Sequence, residues 1–165
     1  SLPREFRALP LPKRPVKATI KNEQVVPQVA IVRTGQPMQL HNQDRQLHHI
    51  ITNMLRNQLS GAHSLPAGMA LEFTFENVEK YPGAFSSATS PSMRSWCLVL
   101  DHPFHDLTAK NGRFRISDLP PGEHELRSWH RYCGWVEKSL KVNIEAGKVT
   151  DLGDIAVPAS KLFPR

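Results

Sequence analysis

Eight histidines and two cysteines are the side chains of this 165-residue chain best suited to metal or nucleophilic chemistry. The histidines include an adjacent pair, His48 and His49, a spaced pair, His102 and His105, and the isolated His130. Neighbouring side chains of a strand point to opposite faces, so His48 and His49 do not chelate one ion if that segment is extended. No cysteine or histidine occurs between positions 64 and 96, and none of the histidines stands in a cysteine or carboxylate cluster at zinc-site spacing. Each is therefore read as a hydrogen-bonded packing residue, with His49, His102, His105 and His130 as the alternative metal ligands.

The enzyme signatures are missing in the same way. A nucleophilic serine or cysteine needs a base and an orienting acid, and no G-x-S-x-G elbow, H-E-x-x-H helix, glycine-rich phosphate loop or paired-carboxylate signature occurs. The chain is expected not to be an enzyme. Cys97 and Cys133 are too few for a disulfide scaffold and too far apart for C-x-x-C. Cys97 lies in the apolar run 96–100, which suits a buried thiol, and whether it pairs with Cys133 is left open.

The elements that must position these residues read as short strands between Pro and Gly turns. Segments 29–33, 38–41, 71–75, 96–100, 113–116, 124–129, 140–144 and 152–157 are apolar or alternating, a spacing that predicts an all-β sandwich. Only 53–59 has helical character, enough for one or two turns within a loop. Turns are signalled by Asn111-Gly112, by Asp118-Leu-Pro-Pro-Gly122 and by Ala146-Gly147.

The net charge of +6 is confined to the ends. Residues 1–17 carry Arg4, Arg7, Lys13, Arg14 and Lys17 against Glu5, and Lys161 and Arg165 supply the rest, leaving the intervening body neutral. A neutral body lacks the basic face that phosphates require, so no nucleic-acid partner is expected. No apolar run approaches the ~20 residues that cross a bilayer, so no membrane span is expected. Pro3, Pro10, Pro12 and Pro15 bias the leading segment toward extended conformations. It reads as a disordered leader or as an arm that docks on a partner, and its apolar Leu2, Phe6, Leu9 and Leu11 favour the arm. Phe6, Leu9, Leu11 and Arg14 are its partner-binding candidates. Trp135, beside Gly134, is a further aromatic candidate for recognition.

Two family resemblances follow. Asn111-Gly-Arg-Phe-Arg-Ile116, Asp118-Leu-Pro-Pro-Gly122 and Trp129-His130 resemble the carboxypeptidase regulatory-like, transthyretin-like β-sandwich module, which carries no catalytic machinery of its own. Val26-Pro-Gln-Val29, Gly35, Asn42-Gln-Asp44, His48-His49 and Ser90-Pro-Ser-Met93 resemble a cupredoxin of the methylamine-utilisation or plastocyanin-like type that is fused to that module in bacterial cell-envelope proteins. The pattern implied by the second resemblance has a histidine after the N-x-D turn and C-x-x-H-x-x-M on a later loop, together holding copper. His48 matches the first ligand and Met93 the last, while Ser87 and Ser90 stand at the cysteine and second-histidine positions. Gln28 stands where relatives commonly have another histidine.

Serine hydroxyls are hard, weak donors for copper, and two imidazoles, a thiolate and a thioether are what a type 1 centre needs. The expected architecture is an extended basic arm (1–17), a cupredoxin-like Greek-key sandwich (18–101), a small transthyretin-like β-sandwich (102–158) and a basic tail (159–165). The expected function is a non-enzymatic accessory or structural subunit, periplasmic or otherwise extracytoplasmic, that binds other protein subunits of a larger cell-envelope assembly. No cofactor is expected. The alternative is a copper-binding or electron-transfer protein with an unusual histidine-based site.

Overall fold

The computed structural model describes residues 6, 9–57, 61–90, 92–157 and 159–162. Leu2, Arg4, Arg7, the end of segment 53–59 and the last three residues of the basic tail lie outside them. The chain divides into two compact units, residues 1–105 and 106–165.

The described residues of the first unit form nine strands: β1 (Val16–Lys21), β2 (Gln24–Val26), β3 (Val29–Arg33), β4 (Pro37–Asn42), β5 (His48–Asn53), β6 (Gly61–Leu65), β7 (Ala70–Thr74), β8 (Gly83–Ser87) and β9 (Arg94–Leu100). They form a four-stranded sheet ordered β2-β1-β4-β7 and a five-stranded sheet ordered β3-β9-β8-β5-β6. β1 runs parallel to β4, and β3 parallel to β9, while the remaining pairs are antiparallel. This is the all-β sandwich expected from the strand pattern.

Period-2 alternation builds the core between the sheets. In β4, Met38, Leu40 and Asn42 point inward, and in β9 so do Ser95, Cys97 and Val99. Phe73 of one sheet meets Phe85 of the other edge to face at 5.2 Å and stacks on Phe75 at 6.5 Å. Burying each such side chain contributes ~1.5–3 kcal/mol, and the aromatic geometry adds a further fraction. Several strands escaped the sequence reading. β1, β2, β5, β6 and β8 were not anticipated, because GAFSS and GAHSL carry little β-branched or aromatic signal and β2 has three residues.

The helix expected over 53–59 does not form in the described part. Asn53 closes β5, and residues 55–57 bend. The buried carboxylate of Glu79 accepts the amides of Arg56 (2.8 Å) and Asn57 (3.0 Å) and the Asn57 side chain (2.9 Å), so these donors are tied to a distant residue rather than to a helical ladder. The described helix is α1 (Ala159–Leu162).

Among its described residues the second unit holds one two-stranded antiparallel ribbon, β10 (Gly122–His130) and β11 (Gly134–Ile144). One face carries His124, Leu126, Leu140 and Val142, paired in register, and its polar face carries Glu123, Glu125 and Lys141. Segments 113–116 and 152–157, expected as strands, have no ladder partner. No described residue from 106 to 162 is fully buried.

Both cysteines are free. Cys97 is wholly buried, and its thiol is pushed up to about 12, first by desolvation and then by the charge of Glu79. At pH 8 the native chain should yield one thiol, Cys133, to a disulfide reagent, and two in denaturant. Because the folded thiol titrates above its ordinary 9.0, stability contributed by Cys97 is complete below pH 9 and is lost as pH rises toward 12. Fast labelling of both thiols in the native state would contradict this placement.

Candidate functional site

The site is built on the β1–β2 turn. Asn22 and Glu23 both adopt left-handed backbone conformations, with φ of 51° and 58°, as a two-residue type I′ hairpin requires. Asparagine tolerates that region, whereas glutamate has no such preference. Asp44 compensates from the neighbouring loop: its carboxylate accepts the amides of Asn22 at 2.6 Å and Glu23 at 2.9 Å. Asp44 is itself oriented by the fully buried Asn42, whose Oδ1 accepts the Asp44 amide at 3.0 Å and whose Nδ2 donates to the carbonyls of Gln46 and Leu65. The Asn42-Gln-Asp44 motif is thus a loop brace with a local physical reason.

His48 opens β5, wholly buried, and its Nε2 lies 3.0 Å from the Asp44 carboxylate. With Asp44 ionised, Nε2 donates, and in the neutral imidazole Nδ1 then carries a lone pair, buried and without a partner. Glu23 extends the network in the other direction. Its Oε1 accepts Gln46 Nε2 at 2.9 Å and its Oε2 accepts the Ser90 hydroxyl at 3.1 Å. Ser87 Oγ accepts the amides of Thr89 and Ser90 at 3.2 and 3.3 Å and lies 2.9 Å from Thr89 Oγ1, closing a tight turn after β8. The Met93 amide then donates to Ser90 O at 2.9 Å, and Met93 is buried.

Two carboxylates therefore connect His48 to the Ser87–Met93 loop. The structure places His48, Ser87, Ser90 and Met93 at one end of the sandwich, linked through Asp44 and Glu23. The acids were absent from the sequence-derived site, although Asp44 precedes His48 by one four-residue step and could have been found on that spacing. Asn22, Glu23, Asp44, Arg45 and Gln46 line an open depression of about 330 Å³ above this network.

The other histidines stand apart. His49 points to the opposite face from His48, with Nδ1 3.3 Å from Ser64 Oγ. His102 stacks on Phe104 at 6.0 Å, and the backbone amide of His105 donates to Pro103 O at 3.0 Å. His130 belongs to the second unit, where its Nδ1 accepts the Tyr132 amide and its ring lies 5.6 Å from that of Tyr132. Trp135 pairs with Trp129 across the ribbon and is half-buried; the exposed aromatic beside it is Tyr132, which the sequence reading missed.

A copper centre can be tested against these donors. His48 Nδ1 has an available lone pair and Met93 a buried thioether. The hydroxyl of Ser87 is occupied within its turn and that of Ser90 by Glu23, and the Cys97 thiol lies 4.0 Å from Met38 Sδ with its proton held by desolvation. No group of three His, Cys, Asp or Glu side chains converges among the described residues. The donor set lacks the thiolate and second imidazole of a type 1 site and does not fit one.

Desolvation pushes the Asp44 carboxyl up, but the Glu23 amide, His48 and the Asn22 amide outweigh it and hold the group below its ordinary 3.8. Its folded value is depressed, so its contribution to stability is present above pH 3.8 and lost as pH falls below that. Melting temperature should decline through this acid window, and Asp44→Asn should flatten the decline. At neutral pH Asp44→Ala should cost about 2 kcal/mol in denaturant unfolding, because three donors lose their acceptor; a neutral effect would remove Asp44 from its bracing role.

No family model and no curated protein matches the chain. Among solved structures it is similar to a Cu-containing nitrite reductase from Thermus scotoductus, at 16% identity and a TM-score of 0.47, over 54% of this chain and 23% of that one. It spans about a quarter of the nitrite reductase. Amicyanin from Paracoccus versutus is similar at 14% identity and 0.44, over 54% and 84% of the two chains. A purple cupredoxin from Nitrosopumilus maritimus is similar at 18% identity and 0.44, over 51% and 98%. The likeness is to cupredoxin structures and covers about half of this chain.

Proposed function

We propose that this chain is a non-enzymatic, extracytoplasmic accessory or structural subunit on a cupredoxin-like scaffold that has given up type 1 copper chemistry. The observation that carries the reading is the use made of Ser87 and Ser90. One hydroxyl closes its own turn and the other donates to Glu23 of the β1–β2 turn. A hydrogen-bond network thereby connects loops that a metal would otherwise join. The neutral body and basic ends leave protein surfaces as the working parts, and no described helix is long and apolar enough to cross a membrane. The expected partners are protein subunits of a cell-envelope assembly, engaged by the sandwich faces and the arm.

A second reading rests on His48 Nδ1. A buried imidazole lone pair without a partner is a ligand position, and copper held by His48 with other donors is the alternative. Copper titration separates the two. The wild-type chain should develop no intense visible charge-transfer band, whereas Ser87→Cys/Ser90→His should gain one with stoichiometric copper. Tight uptake by the wild type that disappears in His48→Ala would establish the second reading instead.

Assembly provides an independent check. A chain lacking residues 1–15 should purify with less of its partner while its near-ultraviolet dichroism stays that of the folded sandwich. An unchanged assembly would take the arm out of the interface.

A further inference from the structure

The leading arm has a receptor on its own chain. Arg33, at the end of β3, is only 3% exposed, and its guanidinium donates from Nη1 to Pro10 O and from Nη2 to Leu9 O, both at 2.9 Å. Gln36, at the start of the crossing into β4, accepts the Arg33 amide on Oε1 at 3.2 Å and thereby turns Nε2 toward Arg14 O at 3.3 Å. Between them Gly35 has a φ of 79°, and a Cβ added there would stand 3.1 Å from Leu11 Cδ1, so the leucine lies over bare backbone. Phe6 adds an edge-to-face contact with Phe104 at 5.6 Å.

The corner is held by backbone bonds that do not involve the arm. Thr34 N donates to Leu100 O, Gly35 N to Phe75 O and Gln36 N to Arg33 O, which ties it to both sheets. What it offers are donors, and what a proline-rich strand offers are carbonyls. Pro10, Pro12 and Pro15 have no amide hydrogen, so the segment is poor in ladder donors, and two of the three engaged carbonyls, those of Leu9 and Arg14, precede a proline. An extended segment stiffened by proline also loses little entropy on docking.

We propose that the β3–β4 corner of Arg33, Gly35 and Gln36 is a docking site for an extended proline-rich segment, read through its carbonyls and filled in cis by residues 9–14. The kind of partner it fits is a chain presenting the same Leu-Pro-Leu-Pro chemistry, which must compete with the arm. This goes beyond the accessory-subunit reading and does not depend on the fate of copper. It also gives the arm two states: docked on its own corner, or free to engage another molecule.

The test uses full-length chains and a dye-labelled peptide of residues 6–15, followed by fluorescence anisotropy. Wild type should bind the peptide weakly, because its corner is occupied. Leu9→Lys/Leu11→Lys, which weakens the cis arm without altering the corner, should bind it at least ~10-fold more tightly. Adding Arg33→Met to that background should reduce binding ~10-fold or more, since both charge-assisted bonds are lost. Gln36→Ala in the same background serves as the second corner variant if Arg33→Met does not fold by circular dichroism. The proposal is overturned if the arm variant binds no better than wild type, if the corner variants bind as tightly as their parent, or if a proline-free peptide of equal charge binds equally well.

Discussion

Asp44 accepts the amides of Asn22 and Glu23 together with the imidazole of His48, and so holds a left-handed turn that Glu23 has little reason to adopt alone. Once that turn is fixed, the Glu23 carboxylate is presented to Gln46 on one side and Ser90 on the other. One ionised group thus sets the geometry of three loops that leave different strands. Each acceptor–donor pair is modest in water, but the network is partly buried and shares its members, so loss of one contact leaves others unpaired.

This arrangement bears on what the end of the sandwich can do. Soft-metal electron transfer requires polarisable donors aimed at one point. Here the oxygen donors aim at each other and at backbone amides, while the sulfur of Cys97 is turned into the core beside Met38. The imidazole of His48 remains the exception, with one nitrogen engaged and the other bare. Scaffold and chemistry are separable in a β-sandwich, because the core needs only its inward residues while the loops supply function.

The strands with a strong apolar alternation, β3, β4, β7 and β9, were legible in the sequence because burial imposes period 2 on them. β8 was not, because Gly83-Ala-Phe-Ser-Ser87 owes its conformation to two neighbouring strands rather than to propensity. The helical composition after Asn53 misled for the opposite reason: Glu79, more than twenty residues away, takes the amides that a helix would use. In the site, His48, Ser87, Ser90 and Met93 were picked out by the family resemblance, but Glu23 was not. Its role comes from a backbone angle and from a hydrogen bond spanning 67 residues, neither of which has a local signature.

The docked arm also orders events in time. Residues 9–14 leave the ribosome well before the corner that receives them, which is complete only when Phe75 and Leu100 anchor its amides, and the ring that receives Phe6 belongs to residue 104. The arm is thus made before its receptor and settles after it. Throughout synthesis its carbonyls and apolar side chains are open to whatever is nearby, so the nascent chain can meet a companion before it is able to meet itself.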